Sequence, residues 1–165
     1  MDSKLLKELY DKYYRELYLY IYSLSRSREV TEDLVQETFL KAILSLSDSH
    51  GNMRAWLYMV ARNLYFNFAK KEKSKESLEN IKEKPSDLRP LIEHVIENER
   101  RRLCFEALQS LDGLKKEVLI LQYFGGLTQK EIAATLQITP ENVRVLSFRG
   151  KKELRKFMEV HGYDI

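Results

Sequence analysis

Seven residues near the C-terminus carry side chains suited to nucleic acid: Asn142, Arg144, Val145, Phe148, Arg149, Lys151 and Lys152. Arg and Asn can hydrogen-bond base edges in a major groove, and Lys suits phosphates. Residues 142–156 hold six basic side chains against Glu153 alone, a local charge of +5. A second group lies earlier, along one edge of a predicted helix: Asn63, Phe66, Asn67 and Lys70. A parallel edge carries Arg54, Tyr58, Arg62 and Tyr65. Aromatic, amide and basic groups together can stack on unpaired bases and hold their phosphates; a plain amphipathic helix is the other reading. A third group, Asp33, Gln36, Glu37 and Leu40, is spaced i, i+3, i+4 and i+7. An acidic stripe with one apolar residue suits docking on a basic protein surface, although spacing alone also fits a solvated face.

Helices must position all three groups, because the apolar periodicity is helical throughout. Leu6, Leu9, Tyr13, Leu17, Ile21 and Leu24 form one face of a first helix. Six of the ten tyrosines fall within Tyr10–Tyr22, which suits half-buried packing, with a docking surface as the alternative. A second helix is expected after Thr31, read as its N-cap, with Val30 stapled onto Val35. Its core face is Val35, Phe39, Ala42, Ile43 and Leu46. A third helix spans about Asn52 to Lys71, with Met53, Trp56, Leu57, Val60, Leu64 and Phe68 inward. Further helices fit residues 91–111, 114–124, 128–136 and 140–158, with Gly113 and Gly125-Gly126 as terminators.

Residues 128–150 have the pattern of a helix-turn-helix. Thr128 and Glu131 form a capping box. Thr139 caps the next helix, and Pro140 takes its first position. Gln137-Ile138-Thr139 make the turn, and Ile132, Leu136, Ile138, Val143 and Leu146 are spaced to pack across it. Val143, Leu146 and Leu154 are the expected buried side of the second helix.

Composition limits the alternatives. The 165 residues carry 28 basic and 25 acidic side chains, a net charge of +3. Resolved along the chain, residues 1–73 carry +2, residues 74–100 carry −2 and residues 101–165 carry +3. Residues 71–90 hold only Leu78, Ile81 and Leu88 as apolar groups, with Pro85 and Pro90, too few to offset the entropy of ordering them. The expectation is an all-α protein of two small helical domains joined by a flexible linker: 1–73, a linker over 74–90, and 91–165 containing the helix-turn-helix. The longest uncharged stretch, Val118 to Gln129, is 12 residues, short of the roughly 20 that cross a bilayer. Charged residues interrupt any signal-peptide core, so a cytoplasmic location and no membrane insertion are expected. One cysteine, Cys104, supplies neither a disulfide framework nor a cysteine metal site. His50, His94 and His161 are far apart in sequence. No enzyme, cofactor, metal or small-molecule substrate is expected.

The order of these motifs resembles the extracytoplasmic-function group of bacterial sigma factors, within the sigma-70 family. The segment EDLVQETFLKA (Glu32–Ala42) looks like the contact motif for polymerase clamp helices. AWLYMVARNLYFNF (Ala55–Phe68) looks like the −10 element reader, and Leu108–Leu154 like the −35 reading domain. The resemblance covers nearly the whole chain. It implies that Asp33, Gln36, Glu37, Phe39 and Leu40 seat the chain on the β′ clamp helices of core RNA polymerase, with the β subunit as a further contact. It implies that Arg62, Asn63, Phe66, Asn67, Lys70 and Lys71 hold the melted −10 strand. Asn142, Arg144, Val145, Phe148, Arg149, Lys151 and Lys152 would face the −35 duplex. Promoter DNA and an anti-sigma factor are the further implied partners. The family often has serine at Val145, leucine at Ser147, alanine at Gly150 and glycine at Gln137. The competing reading is a one-component regulator that binds operator DNA without polymerase.

Overall fold

The computed structural model describes residues 3–45, 52–76, 96 and 98–161. Seven helices and no strand occur among them: α1 (Ser3–Ser25), α2 (Arg28–Leu44), α3 (Met53–Glu76), α4 (Glu99–Leu108), α5 (Gly113–Tyr123), α6 (Gln129–Leu136) and α7 (Pro140–Val160). The chain divides into two compact units, Met1–Ser86 and Asp87–Ile165. The expected linker falls mostly outside the described residues. Its first three positions, 74–76, continue α3.

In the first unit α1, α2 and α3 pack pairwise. Leu17, Tyr20 and Ile21 of α1, Val35 and Phe39 of α2, and Leu57 and Ala61 of α3 are all buried. The expected half-buried tyrosines go further inward than spacing suggested: Tyr18, Tyr20 and Tyr22 are buried outright. Tyr10, Tyr14, Tyr18 and Tyr22, each four positions apart, form a ring ladder along α1 with centroids 4.5, 5.7 and 6.2 Å apart. Burial, then the neighbouring Tyr10, pushes the Tyr14 hydroxyl up to about 12.

The start of α2 corrects one expectation. Arg26 and Ser27 alone separate α1 from α2, with Arg26 in the left-handed region at φ 58°. Ser27 is the N-cap, and its Oγ accepts from the Val30 amide at 3.2 Å. Thr31 lies inside the helix and is buried. Its hydroxyl donates to the Ser27 carbonyl at 2.7 Å and lies 2.8 Å from Ser25 Oγ. Two cap-forming residues stand four positions apart, and the short connection selects the earlier one. Val30 is therefore within the helix, not a staple ahead of it. The inward face of α2 is Thr31, Leu34, Val35, Thr38, Phe39 and Ala42; Ile43 is only half-buried and Leu46 lies outside the described residues. Asn52 caps α3 through its Oδ1, which accepts from the Ala55 amide at 3.1 Å.

An ion pair joins α1 to α3: Arg54 Nε donates to Glu16 Oε1 at 2.9 Å. Burial raises the Glu16 carboxyl above its ordinary 4.5, with the Arg54 guanidinium pulling the other way. A raised carboxyl favours the neutral form in the folded state. Its stabilisation is complete below pH 4.5 and is lost as pH rises through the folded value. Glu16→Gln should therefore gain Tm relative to the parent chain as pH rises from 4.5 to neutrality. A Tm difference that stays constant over that range would refute this.

In the second unit α5 packs on α7, and both contact α4 and α6. The core combines Phe105 and Leu108 with Val118, Ile120 and Leu121, then Leu127, Ile132, Leu136 and Val143. Phe105 and Phe124 meet edge to face at 5.5 Å. α4 starts at Glu99 and ends at Leu108, shorter than the expected span; residues 91–95 and 97 lie outside the described set. Asn98 supplies its cap, accepting from the Arg101 amide at 3.2 Å.

Candidate nucleic-acid interface

The helix-turn-helix is built by the caps that its sequence contains. Thr128 N donates to Glu131 Oε1 at 2.8 Å and Glu131 N donates to Thr128 Oγ1 at 3.2 Å, a complete capping box. α6 ends at Gln137, which is left-handed at φ 57°, ψ 47°. The Ile138 amide donates back to the Ala133 carbonyl at 3.0 Å. Thr139 Oγ1 then accepts from the Asn142 amide at 3.1 Å and opens α7. Gln129 Nε2 donates to the Pro140 carbonyl at 2.6 Å and ties the starts of the two helices together.

The faces of α7 are sharply divided. Val143, Ser147 and Gly150 are its buried residues. Leu146 and Leu154, expected inward, are half-buried at the flanks. Spacing favoured them for their hydrophobicity, but two smaller residues, Ser147 and Gly150, take the buried places facing α5. Ser147 Oγ donates to Gln122 Oε1 of α5 at 2.9 Å. A Cβ at Gly150 would stand 2.9 Å from Leu119 Cδ1 and 3.4 Å from Leu119 Cγ. Asn142, Arg144, Val145, Phe148, Arg149, Lys151 and Lys152 are all exposed together on the other side. Lys151 Nζ lies 5.3 Å from the Tyr123 ring centroid, and Lys115 pairs with Glu153 at 2.5 Å.

On α3 the two predicted edges separate. Asn63, Phe66, Asn67, Lys70 and Lys71 are exposed, with Phe66 42% accessible. The half-buried Arg62 stacks its guanidinium 4.5 Å from the Phe66 centroid. Such a pair offers a charged, planar surface to an unstacked base. Three residues of the other edge, Arg54, Tyr58 and Tyr65, turn towards α1. Tyr58 is 1% accessible, with its ring 5.4 Å from that of Tyr20. The Tyr65 hydroxyl donates to the Leu24 carbonyl at 2.9 Å, and Arg54 holds Glu16. This edge turns inward because α1 presents its own tyrosines to it.

On α2 the whole stripe is outward as predicted: Asp33, Gln36, Glu37 and Leu40 are exposed, and Leu40 is 56% accessible. Phe39 is not outward. It is buried, with its ring 5.2 Å from that of Tyr10. A shallow, largely apolar groove runs beside the stripe, lined by Leu6, Lys7, Tyr10, Gln36, Phe39, Leu40 and Ile43. Lys7 and Tyr10 were not among the predicted site residues. Their signal is weak in sequence, because they sit on a different helix, well upstream of the stripe.

Two family models match the chain: sigma-70 region 2 over residues 9–75 and sigma-70 region 4 over residues 103–154. Together they take in most of the sequence, including all three side-chain groups. The Bacillus subtilis ECF RNA polymerase sigma factor SigM is 24% identical over 156 residues, covering 91% of this chain and 93% of its own length. SigX of the same organism is 28% identical over 160 residues, covering 92% and 82%. The chain belongs to the sigma-70 family, in its extracytoplasmic-function group. Its fold matches that of the sigma factor RpoE, solved with the anti-sigma factor NepR from Bartonella quintana. The TM-score there is 0.72 at 22% identity, over 95% of this chain and 98% of that one. CnrH, solved with the cytosolic domain of CnrY, matches at TM-score 0.68 and 21% identity, over 96% of this chain and 90% of that one.

Two of the four departures from the expected family pattern, Ser147 and Gly150, have structural reasons. Ser147 and Gly150 both face α5. A serine there gains a hydrogen-bond partner, and a glycine lets the Leu119 side chain approach. Glycine costs a helix about 1 kcal/mol relative to alanine, and the close approach of a fully packed leucine offsets it. Gln137 has no such compensation in view: it holds a left-handed conformation that costs a non-glycine residue roughly 1–2 kcal/mol. Gln137→Gly should stabilise this sigma factor by roughly 0.5–1 kcal/mol, after glycine's larger unfolded-state entropy is subtracted. Denaturant melts followed by circular dichroism would measure it, and a loss of stability would refute it.

Proposed function

We propose that this sigma factor docks on core RNA polymerase through Asp33, Gln36, Glu37 and Leu40, with Phe39 supporting them from beneath. Arg62, Asn63, Phe66, Asn67, Lys70 and Lys71 then hold the non-template −10 bases after they leave the stack. Asn142, Arg144, Val145, Phe148, Arg149, Lys151 and Lys152 read and grip the −35 duplex. The observation that carries this is the division of α7. All seven of its predicted contact residues share the exposed side, while α5 and α6 hold the other.

Extracting a stacked base costs a few kcal/mol. A small protein of net charge +3 needs the DNA-bound polymerase to share that cost, so the free chain binds duplex weakly. Its part in initiation is recognition, with bond-making left to the polymerase, and the place of action is the cytoplasm. No described helix is long and apolar enough to cross a membrane. The domains divide as 1–73 and 91–165, with 74–90 as the linker, of which 74–76 continue α3. An anti-sigma protein is the proposed regulator, supported by the solved neighbour RpoE, captured with the anti-sigma factor NepR.

The test is run-off transcription from a promoter library by core enzyme freed of other sigma factors, with and without this chain. Promoter-specific transcripts that need the chain are the expected result. Tight binding to duplex DNA with no capture of polymerase would overturn it. Arg149→Ala should weaken −35-dependent binding by about 1–3 kcal/mol if the guanidinium contacts a base. Unchanged promoter choice and output would remove Arg149 from the reading face.

A further inference from the structure

Between Glu141 and Glu153 every exposed residue of α7 is polar or charged except two. Val145 is 40% accessible and Phe148 is 70% accessible. Three positions apart on a helix, they are neighbours on its surface. Phe148 also borders a groove with Gln129, Arg144 and Lys151. Basic side chains thus flank the pair, with Arg144 and Arg149 beside it and Lys151 and Lys152 a turn further on. Lys151 and Lys152 suit phosphates and the two arginines can reach base edges to either side, which leaves the apolar pair facing the groove floor between them.

Hydrogen bonding cannot be the role of either side chain. Against the polar edge of adenine, guanine or cytosine, Val145 would strip water and return no partner, which is costly. The major-groove edges carry one apolar substituent, the C5 methyl of thymine. We propose that Val145 and Phe148 form a methyl-reading patch that selects thymine within the −35 duplex. This rests on the −35 reading of α7 proposed above and assigns its chemistry. A hydroxyl-bearing side chain in this place could exchange hydrogen bonds with several bases. Valine narrows that choice to thymine.

The experiment uses holoenzyme reconstituted from core polymerase and the full chain. Duplexes with a randomised −35 segment are first selected for binding. Each selected thymine is then replaced by deoxyuridine, which removes the methyl and leaves the Watson–Crick pairing intact. At one or two neighbouring positions the replacement should weaken binding about fourfold, the transfer value of one buried methyl group. Val145→Ser or Phe148→Ala should bind the thymine and uracil duplexes equally. Arg149→Ala should weaken both by the same factor and keep their ratio. Sequence-specific binding that is indifferent to uracil at every position overturns the methyl patch and leaves the −35 reading standing. So does a uracil effect that persists in both apolar variants. Absence of any −35-dependent selection overturns the −35 reading itself, and the patch with it.

Discussion

Gln36→Ala combined with Leu40→Ala should reduce capture of core polymerase by about ten- to a hundredfold while leaving the helical content unchanged. Leu40 is a large apolar side chain more than half exposed at the rim of an apolar groove. Covering a leucine fully is worth roughly 1.5–3 kcal/mol, and each 1.4 kcal/mol is about tenfold in affinity. A few central apolar anchors commonly carry most of an interface's energy. Gln36 lines the same groove one turn away. Both side chains are exposed in the free chain, so their removal leaves no cavity in its core. Asp33 and Glu37 flank them as rim charges and should set the salt dependence and association rate more than the final affinity. Fluorescence anisotropy of labelled chain against core enzyme, with circular dichroism as the folding control, makes the measurement. Capture at the parent level would remove this stripe from the docking surface. Phe39→Ala is a poor substitute, because its ring is part of the core and its loss would confuse unfolding with lost contact.

Tyr58→Ala should destabilise the first unit by about 3–5 kcal/mol. Its ring is buried between α3 and α1, with Tyr20 edge-on at 5.4 Å. Burial holds its hydroxyl well above the ordinary tyrosine value, with Glu16 adding to the effect. Truncation opens a cavity that the surrounding aromatic rings are too rigid to fill. Arg54→Ala, which breaks the partly exposed Glu16 pair, is the control and should cost about 1 kcal/mol or less. The single tryptophan, Trp56, lies on α3 two residues from Tyr58, so its fluorescence reports unfolding of this unit. Far-ultraviolet dichroism reports the helices of both units, so its difference from the tryptophan signal follows the second, since two units need not unfold as one transition. A loss under about 1 kcal/mol would show that Tyr58 is not the core residue its burial makes it.

The helix-turn-helix was legible almost residue by residue. Its caps are local: Thr128 with Glu131, and Thr139 with Asn142, each lie within one turn, so neighbouring sequence contains all the partners. The turn Gln137-Ile138-Thr139 was legible for the same reason, because it lies between those caps; the left-handed backbone at Gln137 is what the structure adds. The start of α2 was less so, because Ser27 and Thr31 are both competent caps and only the length of the connection to α1 chooses between them. The edge of α3 was misread at Tyr58. Tyrosine suits a surface or a core equally, and its own helix does not reveal that Tyr20 and Glu16 stand opposite. Phe39 had two expectations, core and contact, and its side chain takes the first.

The sequence by itself determined the all-helical class, the cap-defined helix-turn-helix, the basic face of α7 and the acidic stripe of α2. These depend on interactions within a few residues and on helical periodicity. Tertiary structure alone decided which tyrosines are core, that the apolar groove beside Leu40 draws Lys7 and Tyr10 from another helix, and that Ser147 and Gly150 face α5. Those are contacts between residues far apart in the chain. Their existence depends on how two helices approach each other, and helical periodicity names the faces without naming the neighbours.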